Sequence, residues 1–136
     1  MSNNLPVFVL DSFAVLAFLE NENGAAHVQN ILKIAHNGDA QVYLSIINVG
    51  EILYITERER GLPLAQKTLA TLEQLPIEIL PVIRERIFAA AHIKANYPVA
   101  YADAFAIAAA QEFSATVITG NPEFRTVETL IAVEWI

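Results

Sequence analysis

Short apolar segments alternate with helical patterns along almost the whole chain, and this alternation restricts the fold more than any other feature of the sequence. Each apolar segment is only four or five residues long and is bounded by polar or turn-forming residues, as is typical of a buried strand. Strands that alternate with helices usually pair in parallel, so the pattern predicts an α/β fold with a mainly parallel sheet covered on both faces. The predicted strands are residues 7–10, 41–44, 77–80, 115–119 and 131–135.

The segments between these strands have the apolar spacing of helices that face a core. Ser12 opens the first of them, and Ser45 caps the third. With 136 residues and neither a repeat nor a linker, the chain is expected to form a single domain over residues 1–136. After the first helix, which fades in the polar turn at residues 20–24, the predicted helices cover about residues 25–36, 45–60, 64–72, 82–94 and 101–113.

The composition is rich in apolar residues and poor in charge. Hydrophobic residues make up 54% of the chain and charged residues 17%, against a usual charged share of about 25%. This excess is more than a small domain buries, so we expect part of the surface to be covered by a partner, in an oligomer or a complex. The absence of cysteine excludes disulfides and thiolate metal sites.

The net charge of −7, from 8 basic and 15 acidic residues, argues against a simple nucleic-acid-binding module. Such modules neutralise phosphates with lysine and arginine. If this protein acts on a polyanion, bound divalent cations are expected to help attract it, and acidic side chains would hold them.

The sequence also predicts where the protein works. Its N-terminus has neither the positive segment nor the cleavage site of a secretory signal. The longest apolar stretch, residues 6–19, contains Asp11 and is shorter than the roughly 18–20 residues of a membrane span. We therefore expect a cytoplasmic protein without a membrane segment.

Two aspartates stand at ends of predicted elements, where functional residues of such folds lie. Asp11 directly follows the first strand, and open parallel sheets bind ligands beyond the carboxyl ends of their strands. The simple alternative is that Asp11 caps the next helix, although Ser12 beside it is equally suited. Asp103 lies in the first turn of the alanine-rich helix, where an acid complements the helix dipole. It is also the only charge between Lys94 and Glu112, which favours a functional role.

Glu51 lies nearly two turns into the third helix, on a face that is otherwise apolar. Its helical neighbours there are Ile47, Tyr54 and Ile55. A carboxylate on an inward face needs a metal or another partner, and the alternative is a partly exposed glutamate paired with an arginine. Gly50 beside it costs on the order of 1 kcal/mol of helix stability relative to alanine, so we expect another group to approach the helix closely there.

Asn121 completes a set of four candidate residues. It follows the fourth strand, where a turn residue before proline is the simple alternative. Asp11, Glu51, Asp103 and Asn121 all fall on one predicted rim of the sheet. Three clustered carboxylates repel one another unless a cation neutralises them, and oxygen ligands suit Mg²⁺ or Mn²⁺. One or two such ions can activate water and cleave a phosphodiester.

Other kinds of site have weaker support. The five glycines form no phosphate-binding loop, and Ser12 and Ser45 lack the surroundings of a nucleophilic serine. The three histidines share no metal-ligand spacing and are predicted to lie on the surface. They are His27, His36 and His92.

A phosphatase that uses Asp11 as a nucleophile is a further alternative from another enzyme class. That chemistry usually requires a second aspartate two residues later, where this chain has Phe13. It also requires a lysine after a strand, and none of Lys33, Lys67 and Lys94 follows a predicted strand. Hydrolysis of a small phosphomonoester without cleavage of RNA would favour this alternative.

Four segments, in this order and spacing, resemble the PIN-domain family, and within it the VapC-type toxins, which are the nuclease halves of bacterial toxin–antitoxin pairs. The resemblance covers nearly the whole chain. It implies an α/β/α sandwich on a parallel sheet, Mg²⁺- or Mn²⁺-dependent RNA endonuclease activity, a homodimer, and inhibition by a small VapB-like antitoxin. The segments are LDSFAVLAFLENENGAA, LSIINVGEILY, YADAFAIAAAQEF and TVITGNPEFRTVE.

The resemblance also assigns residues. The family's three acids fall on Asp11, Glu51 and Asp103, its metal ligands, and the small hydroxyl residue after the first acid falls on Ser12. The last motif commonly has aspartate after Thr-Gly, where this chain has Asn121. An amide oxygen can ligate Mg²⁺ or orient a water molecule, but it brings no charge.

Two further expectations follow from this departure. Glu123, two residues after Asn121, is a candidate for the missing carboxylate. The departure also supports an alternative function, in which the chain is a catalytically weakened PIN-domain relative that acts as a binding or regulatory module. A lack of metal binding would favour that alternative.

Overall fold

Five parallel strands and six α-helices make up most of the described chain, which is residues 4–136 of a computed structural model. One 3-10 helix joins the last two strands. In chain order the elements are β1 (Val7–Leu10), α1 (Ser12–Leu19), α2 (Ala25–His36), β2 (Gln41–Ser45), α3 (Ile46–Arg60), α4 (Leu62–Gln74), β3 (Glu78–Leu80), α5 (Arg84–Asn96), α6 (Tyr101–Phe113), β4 (Thr116–Thr119), the 3-10 helix (Pro122–Val127) and β5 (Ala132–Trp135).

The strand order of the sheet is β3-β2-β1-β4-β5, with every neighbouring pair parallel. The chain builds outward from β1 to β3 and then returns to place β4 on the other side of β1. In the β1–β4 pair, Leu10 lies opposite Ile118, so the next residues, Asp11 and Thr119, leave the sheet side by side. The strand order reverses here, and ligands of open α/β sheets bind in the crevice outside such a point.

Two hydrophobic cores lie on opposite faces of the sheet. Val9 and Val117 point to the core formed with α5, α6 and the 3-10 helix, and the adjacent Leu10 and Ile118 point to the core formed with α1 to α4. Side chains of a strand alternate between faces, which explains why the central strands are apolar throughout. The α/β fold and the three-layer α/β/α arrangement are therefore confirmed.

The predicted elements agree with the structure within one or two residues in most cases. The start of α5 was predicted at residue 82 but lies at Arg84, because Val82 and Ile83 precede the helix, with Ile83 in an extended conformation. The 3-10 helix was not predicted. Its sequence is short and begins with Pro122, so it lacks the repeated apolar spacing that identifies longer helices.

Many large apolar side chains remain exposed, as the composition predicted. Those at the start of α5 form the densest group along the sequence, Val82, Ile83, Ile87 and Phe88. Within residues 4–136, no helix has both the length and the apolar character needed to cross a membrane.

Candidate active site

Asp11 lies fully buried at the carboxyl edge of the sheet, between β1 and α1. Its Oδ1 accepts a hydrogen bond from the backbone N–H of Ala14, 2.8 Å away, so Asp11 is the N-cap of α1. Its Oδ2 accepts a hydrogen bond from the hydroxyl of Thr119. The capping alternative was thus correct for Asp11, and Ser12 does not share this task. The two hydrogen bonds fix both carboxylate oxygens of Asp11.

Thr119 is a residue that the sequence analysis missed. It is fully buried at the end of β4, and its Oγ1 also accepts a hydrogen bond from the backbone N–H of Asn121, 2.9 Å away. One hydroxyl therefore joins Asp11 to the loop that carries Asn121. A polar residue at the end of an otherwise apolar strand was the available signal, but the sequence does not reveal that β4 pairs with β1.

Asp103 and Asn121 meet beside this hydroxyl. Asp103, in the first turn of α6, is 7% exposed, and its Oδ2 accepts a hydrogen bond from Nδ2 of Asn121, 3.2 Å away. The Oδ1 of Asn121 accepts from the backbone N–H of Glu123, which starts the 3-10 helix. The amide is thus oriented from both sides and directs its donor at the carboxylate.

Glu123, the candidate for the missing carboxylate, has a structural contact. One of its oxygens, Oε1, accepts a hydrogen bond from the backbone N–H of Ala100, 3.1 Å away. Ala100 is the N-cap residue of α6 and has no side-chain capping bond of its own. Glu123 therefore ties the 3-10 helix to the start of the helix that carries Asp103, although its charge still contributes to the site.

Glu51 lies on α3 and is partly exposed. Among residues 4–136 no salt bridge to Glu51 is formed, so the arginine-paired alternative has no support there. The expectation for its neighbour Gly50 is wrong, because a Cβ at Gly50 would meet no atom within 4 Å. Gly50 faces open space, and helical spacing alone does not distinguish an open position from a close approach.

Burial and mutual repulsion shift the pKa values of the two aspartates. Burial, opposed by the hydrogen bonds from Thr119 and Ala14 and aided by the charge of Glu51, raises the pKa of Asp11 to about 6. Burial, followed by the charges of Asp11, Glu51 and Glu123, raises the pKa of Asp103 to about 7. These acids therefore lie close enough to oppose one another's ionisation.

Asn48 is a second residue that the sequence analysis missed. It is fully buried on α3, and its Nδ2 donates to Oγ of Ser12, 3.1 Å away, and to the carbonyl of Ala102, 3.2 Å away. Ser12 in turn donates to the backbone carbonyl of Asn48. One amide thus joins α1, α3 and α6, the three helices that position the acids. A polar residue one turn before Glu51 was the only signal in the sequence.

The donor set fits a hard divalent cation. Carboxylate and amide oxygens suit Mg²⁺ or Mn²⁺, and a cation would offset the repulsion that raises the two aspartate pKa values. Across the described range 4–136, no group of three acidic or histidine side chains is placed to hold one metal ion. An ion here would therefore be held directly by one or two carboxylates and otherwise by water.

An open parallel sheet with carboxylates at its switch point defines an α/β protein whose candidate site is acidic. The chain belongs to the PIN domain family, whose sequence model matches residues 8–130. A comparison with curated protein sequences gave no match.

Several solved structures have the same fold. VapBC2 from Rickettsia felis, bound to a DNA fragment from its promoter, is 17% identical with a TM-score of 0.72, and the match covers 95% of this chain and 98% of that one. A toxin–antitoxin complex from Klebsiella pneumoniae is 16% identical with a TM-score of 0.69, covering 93% and 94%. VapC20 from Mycobacterium tuberculosis, a sarcin–ricin loop cleaving toxin, is 17% identical with a TM-score of 0.65, covering 87% and 92%.

Proposed function

We propose that this protein is a Mg²⁺- or Mn²⁺-dependent endoribonuclease and the toxin of a VapBC-type toxin–antitoxin pair. The observation that carries the proposal is the pair of buried aspartates at the switch point, Asp11 and Asp103, whose pKa values are raised by burial first and by the charge of Glu51 in addition. Membership of the PIN domain family and the likeness to toxin chains support the same assignment.

In this proposal Asp11, Glu51 and Asp103 hold the metal, and Asn121 orients Asp103. When bound, the ion would activate water and stabilise the leaving oxygen of the phosphodiester. Asp11 is held rigidly by its two hydrogen bonds, and Asp103 is held by Asn121. Glu51 is partly exposed and would be free to adjust to the ion and the substrate. Rigid ligands such as Asp11 and Asp103 stabilise a transition state without reorganisation during the reaction.

The proposed partners are RNA, a VapB-like antitoxin and a second copy of the chain. Exposed apolar side chains support a covering protein, and a basic group on the antitoxin would neutralise the carboxylates. An open cleft beside α1 is lined by apolar Leu16, Leu19 and Leu64, which suits an apolar segment of a covering protein. The exposed group at the start of α5 supports the homodimer. A short reading frame next to the gene, with a DNA-binding half, is the expected source of the antitoxin.

Amide variants test the metal-dependent mechanism. Asp11→Asn, Glu51→Gln and Asp103→Asn should each abolish RNA cleavage in Mg²⁺ or Mn²⁺ while leaving the fold intact or more stable, because each change relieves repulsion. Glu73→Gln, on the exposed side of α4, is the matched control and should cleave like the parent. Cleavage that persists in excess EDTA would refute the mechanism, and unfolding of Glu51→Gln would show that Glu51 is structural.

The hydrogen bond between Asn121 and Asp103 favours one alternative, a weakened relative that binds RNA or regulates without cleaving it. The amide already satisfies one oxygen of Asp103 and lowers the negative charge available to metal. Isothermal titration with Mn²⁺ separates the two functions, because the alternative predicts no metal binding by the parent protein.

A further inference from the structure

An exposed aromatic side chain lies at the edge of the acidic site. Phe13, the second residue of α1, is 45% exposed and takes no part in either core. Its ring lies so close to Gly120 that a Cβ added there would come within 2.2 Å of the ring. Gly120 therefore leaves room for the ring in this position, and a larger residue there would require the ring to move.

The position of the ring is fixed by the chain itself. Phe13 is two residues from Asp11, and successive Cα atoms are ~3.8 Å apart, so the two backbones are at most about 8 Å apart. Gly120, which touches the ring, directly precedes Asn121, the residue that binds Asp103. The ring therefore lies beside the loop that joins β4 to Asn121, at the same switch point from which Asp11 and Asn121 extend.

The protein has a low density of cations with which to hold RNA, since its net charge is −7. Six of its eight basic side chains also lie near a carboxylate, a carbonyl oxygen or an aromatic ring within the chain. Binding of single-stranded nucleic acid to such a surface needs a contribution that does not depend on charge, and stacking of bases on aromatic rings provides one. The six are Arg58, Arg60, Arg84, Arg86, Lys94 and Arg125.

We propose that Phe13, supported by Gly120, is a stacking platform for a nucleobase of single-stranded RNA next to the phosphate that is cleaved. The proposal rests on the ribonuclease function above and adds a subsite to it. The face of a phenyl ring accepts any base, so Phe13 contributes affinity and position rather than a strict sequence preference.

Substitutions at residue 13 test the platform. Binding of short, single-stranded RNA of mixed sequence is measured by fluorescence anisotropy. The buffer contains Ca²⁺ in place of Mg²⁺, so that a divalent cation is present during the measurement. Stacking contributes ~1–3 kcal/mol per base, so Phe13→Leu, which keeps the apolar bulk, should raise Kd by about fivefold or more. Phe13→Trp should bind at least as tightly as the parent. Leu62→Ala, which removes a similarly exposed apolar side chain from α4, is the control and should leave Kd unchanged.

Two further comparisons isolate the base and the support. An oligonucleotide with the same sugar–phosphate chain but no bases should bind the parent and Phe13→Leu equally. Gly120→Ala should displace the ring and weaken RNA binding as Phe13→Leu does, with little added effect when the two changes are combined. Thermal melts confirm that each variant is folded under the conditions of binding.

The outcomes distinguish the platform from the function on which it rests. If the parent neither binds nor cleaves RNA in Mn²⁺, the ribonuclease function fails and the platform fails with it. If the parent cleaves RNA but Phe13→Leu binds it with the parent's Kd, only the platform is refuted. Phe13 also borders the cleft lined by Leu16, Ala17 and Glu20. Loss of antitoxin binding with unchanged RNA binding would assign Phe13 to that protein interface instead.

Discussion

The side-chain amide of Asn121 donates a hydrogen bond to Asp103, with 3.2 Å between Nδ2 and Oδ2. An aspartate at position 121 would place a further negative charge beside a carboxylate whose pKa burial and neighbouring acids have already raised to about 7. The amide replaces that repulsion with an attractive contact. Asn121 therefore stabilises the site without metal, and in the proposed nuclease it would offer a cation one negative charge less than aspartate would.

Asn121→Asp is expected to reverse this balance. The variant should melt at a lower temperature than the parent in chelator, because one more acid then adds to the repulsion among the carboxylates. It should gain more from Mg²⁺ or Mn²⁺ than the parent does, because tighter binding to the native state stabilises it more. RNA cleavage should increase, since the added carboxylate positions the ion more firmly. Thermal melts with and without metal measure both effects.

Asn30→Asp is the matched control for this variant. Asn30 is exposed on α2, so the substitution adds the same charge away from the site. Its melting temperature should respond to metal as that of the parent does. If metal shifts Asn121→Asp and Asn30→Asp equally, Asn121 does not face the ion, and its assignment to the last motif is wrong.

The raised aspartate pKa values predict how stability depends on pH. Asp11 and Asp103 have pKa values of about 6 and about 7 in the folded protein, against 3.8 as the ordinary value. The folded state therefore holds more protons than the unfolded chain between about pH 4 and 7, so stability falls as pH rises through this window. The metal-free protein should melt at a higher temperature at pH 5 than at pH 8.

A variant and a metal titration separate this effect from the general charge of the protein. Asp103→Asn should flatten the pH dependence, because the amide does not titrate, whereas Glu73→Gln should leave it unchanged. Mg²⁺ or Mn²⁺ should stabilise the parent more at pH 8 than at pH 5, since binding requires ionised carboxylates. An equal pH dependence in Asp103→Asn and the parent would show that Asp103 is not the titrating group.

The sequence predicted the layers correctly and placed Asp11 and Asp103 at one end of the sheet, but it did not predict the contacts that hold these side chains. Strand periodicity and position after a strand identified Asp11, because both are local in the chain. Thr119 and Asn48 are missing from the prediction because their partners lie 108 and 36 residues away, across pairings that appear only in the fold. Gly50 is a case in which the sequence wrongly predicted a contact. Its position in a helical pattern indicated that another group approaches α3 closely there, but no such group is present within residues 4–136.

Glu123 accepts a hydrogen bond from the start of α6, and two substitutions measure how much this contact and the charge contribute to stability and cleavage. Glu123→Gln should cleave RNA at least half as fast as the parent, because an amide oxygen still accepts the hydrogen bond from the N–H of Ala100. Glu123→Ala should lower the free energy of unfolding by ~1 kcal/mol, the usual cost of losing such a cap. Cleavage assays and urea denaturation measure the two effects. Loss of cleavage in Glu123→Gln would instead identify Glu123 as the fourth acid.

Asn48 gives the last prediction, because its amide joins the three helices that carry the acids. Asn48→Ala removes both donors and leaves the carbonyl of Ala102 and Oγ of Ser12 without this partner. The free energy of unfolding should fall by ~1–3 kcal/mol, and cleavage should fall further than the loss of folded protein explains, because α3 and α6 no longer hold Glu51 and Asp103 in register.

Thr68→Ala provides the matched control, since Thr68 is also buried and polar but lies on α4, which carries none of the acids. Urea denaturation ranks the two variants by stability. Single-turnover cleavage at saturating Mn²⁺ is then compared under conditions in which both variants are folded. Asn48→Asp should be less stable than Asn48→Ala, because it buries an additional charge near Asp11 and Asp103. If Asn48→Ala cleaves as fast as Thr68→Ala where both are folded, Asn48 supports the fold and does not position the acids.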